Sequence, residues 1–130
     1  MLEGFYAVVR RELDRFGGRE IDTAGDGFFV TFDGPARAIR CAESLVEAVE
    51  RVGLAIRVGI HTGEVERAAD KVSGLAVVIG ARVGALAGPA EILVSRTVKD
   101  LVVGSDVSFA HRGEHQLKGV PGSWELYRVV

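Results

Sequence analysis

The stretch GGREIDTAGDGFFVTFDGP, residues 17–35, places one acid, Asp26, between Gly25 and Gly27. Two strand-like arms flank it, so a carboxylate stands at the tip of a tight hairpin. Glycine on both sides accepts backbone angles that other side chains resist. By residue type alone, Asp-Gly is a turn former. The other residues able to do chemistry are scattered. Arg82 lies in IGARVGALA and reads by itself as a surface arginine on a helix. Lys118, in QLKGV, stands beside a glycine turn. His61 follows an apolar strand, which predicts a hydrogen-bonded structural histidine. His111 and His115 flank an expected hairpin turn and lack metal-ligand company. Cys41 is the single cysteine, has no internal disulfide partner and sits near an apolar stripe, where a thiol packs as a small hydrophobe.

These residues must be positioned by the elements around them. The chain has 130 residues, 48% hydrophobic and 26% charged, with a net charge of −2. Those proportions predict one soluble globular domain over residues 1–130. No basic tract or zinc spacing points to nucleic acid. The apolar runs are far short of a membrane span, and a signal peptide's uninterrupted apolar core is missing at the N-terminus. A cytoplasmic location is the expectation.

Apolar spacing predicts a helix over 3–16, with Phe5, Val8, Val9, Leu13 and Phe16 on one face. Short strands follow around 20–23 and 28–33, joined by the turn at 24–27. The run from Pro35 to Gly53 predicts the clearest helix, with Pro35 in its first turn, Asp33 as a possible cap, and Ala38, Ile39, Ala42, Leu45, Val46, Val49 and Val52 buried. LAIRVGIHTGEV predicts a strand with Leu54, Ile56, Val58 and Ile60 on one face. ERAADKVSG reads as a polar loop and LAVVIGARVGALAG as a small-residue helix. EILVS is a strand, TVKDLVV a short helix, and VSFAHRG, EHQLKG and WELYRVV are closing strands.

The order helix, strand, strand, helix, strand is most of a βαββαβ unit, an α+β ferredoxin-like plan with a smaller C-terminal α/β extension. Its first strand is absent, and in that plan the strand lies mid-sheet. Three outcomes are open: a rearranged N-terminal segment, a strand donated by a partner chain, or a sheet split by a gap.

Five blocks in order, GGREIDTAGDGFFVTFDGPARAIRCA, IRVGIHTGEVE, GLAVVIGARVGALA, EILVS and RGEHQLKGVPGSWELYRV, resemble the catalytic domain of class III adenylyl/guanylyl cyclases, most closely its actinobacterial type. The resemblance runs from about residue 4 to the C-terminus. It implies a ferredoxin-like fold, here N-terminally truncated, and the conversion of ATP to cyclic AMP and pyrophosphate. In that reaction the ribose 3′-oxygen attacks the α-phosphate with two divalent ions, Mg²⁺ or Mn²⁺, assisting. Asp26 matches the second of the family's two metal aspartates. The first would lie in the strand that this chain begins after. Arg82 matches the transition-state arginine, whose fixed donors suit a phosphate gaining charge better than a lysine would. Lys118 matches a lysine on the triphosphate. Asp22 and Lys71 match the base-reading pair with exchanged signs, with Asp70 just before Lys71. Val78 takes the place of a polar residue and is expected to pack on the buried side of its helix.

The resemblance also implies a head-to-tail homodimer with sites shared between subunits, the metal aspartates coming from one and the arginine from the other. Two functions remain open: a metal-dependent nucleotidyl cyclase, and a catalytically degenerate module that binds nucleotide, dimerises or regulates a partner.

Overall fold

A computed structural model describes residues 2–24, 27–69 and 71–130. They form two compact units, residues 1–56 and 57–130.

In the first unit, α1 (Leu2–Phe16) places Phe5, Val9 and Leu13 on one buried face, the i, i+4, i+8 spacing of an amphipathic helix. Gly17 ends it with φ +74, and the Gly18 amide returns to the Leu13 carbonyl at 2.9 Å. An antiparallel hairpin follows, β1 (Arg19–Ala24) and β2 (Gly27–Thr31), with an irregularity between Glu20 and Asp22. Then α2 (Pro35–Glu50) runs with Pro35 at its start. Its cap is Gly34 without a side-chain hydrogen bond, so Asp33 does not cap it as expected. The core joins Phe5, Val9 and Leu13 to Cys41 and Val49, with Phe28, Val30 and Phe32 of the hairpin arm packed against them. Leu54 and Ile56 also pack there. They lie before the next strand rather than on its face, which corrects the longer strand expected from residue 54. Val52, past the helix end, is exposed instead of buried.

The second unit is built on a four-stranded mixed sheet, in the order β3 (Val58–Ile60), β6 (Ile92–Ser95), β8 (Ser123–Val129), β7 (Phe109–Gln116). β3 and β6 are parallel and the other pairings antiparallel. The expected polar loop is a hairpin, β4 (Glu66–Ala68) and β5 (Lys71–Ser73). Its residues are almost all exposed, so no apolar alternation announced it. The two strands expected around residue 113 are one strand, β7. Gly113, at φ +100, lies within a bulge between His111 and Glu114, not in a turn.

The helix α3 (Leu75–Leu86) crosses β3 at unusually close range. A Cβ at Gly59 would lie 2.1 Å from the Gly84 nitrogen and 2.7 Å from the Gly80 carbonyl oxygen. Backbone therefore meets backbone, which is why this helix is rich in small residues. Ile79 and Val83 enter a core with Ala87, Leu93, Leu117, Val120 and Leu126. A short helix, α4 (Arg96–Leu101), is capped by Ser95, whose Oγ accepts the Val98 amide at 3.4 Å.

Among the described residues, the β1–β2 hairpin shares no ladder with the four-stranded sheet.

Candidate active site

Burying Ile79 and Val83, with Gly80 and Gly84 against β3, turns Arg82 to the outside of α3. Its guanidinium is held by a hydrogen bond, Nε–H donating to the Lys118 carbonyl oxygen at 3.1 Å. Lys118 sits in the β7–β8 turn. Leu117 and Val120 are buried on either side of the exposed Lys118 and Gly119, and the Val120 amide donates to the Leu117 carbonyl at 2.9 Å. Gly119 and Gly122 adopt φ +79 and +86, which glycine allows without strain. The turn borders an open depression of ≈ 580 Å³ lined by Gln116, Lys118, Gly119, Gly122 and Ser123 among others.

Neither Arg82 nor Lys118 forms an ion pair among the described residues. The Arg82 guanidinium is thus tied to the backbone of the glycine turn that carries Lys118. Their proximity depends on the long-range packing of α3 against the turn, which neither sequence block shows alone.

Lys71 lies exposed on β5 in the second unit, and Asp22 is exposed on β1 in the first. Asp26 and Asp70 lie outside the described residues. Among the described residues no group of three or more His, Cys, Asp or Glu side chains is placed to hold a metal ion. Val78 is 39% exposed, not buried as expected. It shares the outer face of α3 with Leu75 (53%), Arg82 and Leu86 (38%). The helix is apolar nearly all round, so periodicity could not choose its inner face; the glycine contact with β3 does.

His61, just beyond β3, is the hydrogen-bonded histidine expected, with Nδ1 2.7 Å from the Ser95 Oγ. Burial pushes its pKa below the usual histidine value. Its ring also meets Trp124 edge to face at 5.6 Å, a contact not foreseen from the sequence. The signal available was a histidine and a serine at the C-terminal ends of two parallel strands. His111 and His115 both lie on β7 rather than flanking a turn. His111 Nε2 is 3.5 Å from Glu125, and His115 Nε2 is 3.1 Å from the Arg112 carbonyl.

The sequence profile of the adenylate and guanylate cyclase catalytic domain matches residues 1–130. The chain belongs to this family. It is 30% identical over 112 residues to a putative adenylate cyclase 3 of Rhizobium meliloti, covering 79% of this chain but 19% of that protein. The chain thus spans about a fifth of that relative's length. Among solved structures, the adenylate/guanylate cyclase/hydrolase of Silicibacter pomeroyi superposes with a TM-score of 0.85 at 24% identity, covering 94% of this chain and 78% of that one. The guanylate cyclase domain of RhGC from Catenaria anguillulae, solved in complex with GTP, gives 0.82 at 19% identity, covering 99% and 81%. The architecture is therefore the α+β cyclase fold, as the resemblance implied.

Proposed function

We propose that this cyclase domain converts a nucleoside triphosphate, ATP or GTP, to the 3′,5′-cyclic nucleotide and pyrophosphate. The observation that carries the reading is the Arg82 guanidinium held on the Lys118 carbonyl, at a turn where neither cation has a carboxylate partner among the described residues. Lys118 binds the triphosphate as a point charge. Arg82 presents its terminal N–H groups to the oxygens that gain charge as the 3′-oxygen attacks the α-phosphate and the bond to pyrophosphate breaks. Asp26 provides a carboxylate for Mg²⁺ or Mn²⁺, which when bound neutralises charge on the phosphates. Asp22 and Lys71 face the base.

The working unit in this reading is a homodimer with shared sites. Leu75, Val78 and Leu86 expose an apolar stripe around Arg82, the kind of surface that marks an interface. Val78, unable to hydrogen-bond ribose, serves there as a contact with the second copy.

The test is cyclic nucleotide formation by purified protein with ATP and with GTP in Mn²⁺. Arg82→Ala is expected to lower kcat about 10²–10³-fold, as loss of one preorganised donor does. Absence of product from folded dimer with either nucleotide overturns the reading and leaves the degenerate binding or regulatory module.

A further inference from the structure

Arg82 is only as well aimed as the carbonyl that holds it, and that carbonyl belongs to a turn with two exposed glycines. Leu117 and Val120 anchor the turn below. On its far side the Trp124 indole Nε1–H donates to the Pro121 carbonyl at 3.1 Å, closing the segment from Pro121 to Trp124. Trp124, partly buried against the same core, is itself braced. Its ring stands at 85° to the His61 ring, with centroids 5.6 Å apart.

His61 in turn is fixed by the fully buried Ser95. The Ser95 hydroxyl accepts the Val98 amide and is hydrogen-bonded to His61 Nδ1, so it ties the ring to the start of α4. A continuous line of contacts thus runs from Ser95 through His61, Trp124 and the turn to Arg82.

We propose that Trp124, braced by His61, is a positioning residue that fixes the 117–122 turn so that the Lys118 carbonyl aims the Arg82 guanidinium at the substrate's phosphates. That purpose rests on the function proposed above; the strut itself is a property of the fold. Trp124 does not touch the reacting atoms in this account and acts only through the turn.

The readout is solvent exchange of the Arg82 Nε–H by nitrogen-15 NMR of the whole chain, assigned with Arg82→Lys. Trp124→Phe keeps an aromatic ring beside His61 and removes the donor to Pro121. A neutral hydrogen bond shifts such an equilibrium about five-fold, so Arg82 Nε–H exchange should quicken about five-fold. The Nε–H groups of Arg10 and Arg112, paired with Glu20 and Glu91 at 2.9 Å, are the controls and should not change. Unchanged Arg82 exchange in folded Trp124→Phe overturns the proposal. Should that variant not fold, His61→Gln removes the aromatic brace and carries the same expectation and the same overturning result.

Calorimetric titration with inorganic tripolyphosphate separates the two readings. Trp124→Phe should weaken its binding in step with the faster exchange. Lys118→Ala, which keeps the carbonyl, should weaken binding while leaving Arg82 exchange unchanged. Quickened exchange in a protein that binds no tripolyphosphate upholds the strut and overturns the phosphate reading.

Discussion

Glu12 is the most deeply buried acid among the described residues, 3% exposed, and its environment explains how it stays charged. The Ser44 hydroxyl donates to it, and Arg15 Nη1 approaches its two oxygens at 3.2 and 3.3 Å. The Ser44 hydrogen bond, with Arg15 beside it, holds the pKa below the usual carboxylate value against the opposing cost of burial. A depressed folded pKa means stability that is present above the unfolded pKa and lost as pH falls through the folded one. Glu12→Gln should therefore cost about 1–3 kcal/mol at neutral pH, with the difference shrinking under acid, in urea melts at pH 7 and pH 3. Cys41 lies nearby, its sulfur 3.8 Å from the Glu12 carbonyl, and burial pushes its thiol up to about 11. It should resist alkylation at pH 8 until the chain unfolds; rapid labelling of the native protein would contradict its place in the core. The sequence placed Cys41 in packing correctly, but a buried Glu12 on an amphipathic helix gave no signal. Its partner Ser44 belongs to another helix, and only the packed pair satisfies it.

The element that most constrains the second unit is the crossing of α3 on β3. A Cβ at Gly59 meets the Gly84 and Gly80 backbone, which cannot yield as a flexible side chain does. Gly59→Ala should destabilise by about 2–3 kcal/mol, read as a lower urea midpoint, and should displace Arg82 with its helix. Stability equal to wild type would mean that the crossing is looser than described. Elements with one apolar face were legible in the sequence: α1, α2 and the alternating strand β8. Elements whose pattern carries no contrast were not. The exposed β4–β5 hairpin has no buried face to mark it, and α3 is apolar nearly all round, so its pattern does not separate Val78 from the buried positions. Gly113 reads as punctuation, yet β7 absorbs it as a bulge, with the Arg112 carbonyl meeting His115.

At the scale of the molecule, family and fold were legible because five sequence blocks in fixed order, together with the order of elements, point to one architecture. The site was legible only as a set of types. The sequence suggested Arg82 and Lys118, but not that the backbone of one holds the side chain of the other. Asp22 lies in the first unit, while Lys71, Arg82 and Lys118 lie in the second. The exposed stripe of Leu75, Val78 and Leu86 beside Arg82 suits a second copy, and a closed twofold pairing would form two equivalent sites. In that arrangement each site takes Asp26 from one subunit and Arg82 from the other. The most direct measurement is complementation. Asp26→Asn and Arg82→Ala, each inactive alone, are mixed in equal amounts and assayed for cyclic nucleotide with Mn²⁺. The account predicts recovery of roughly a quarter of wild-type activity, since half of randomly paired dimers carry one intact site of two. No recovery from a mixture shown to exchange subunits, when the unmodified protein is active, would contradict a site shared between copies.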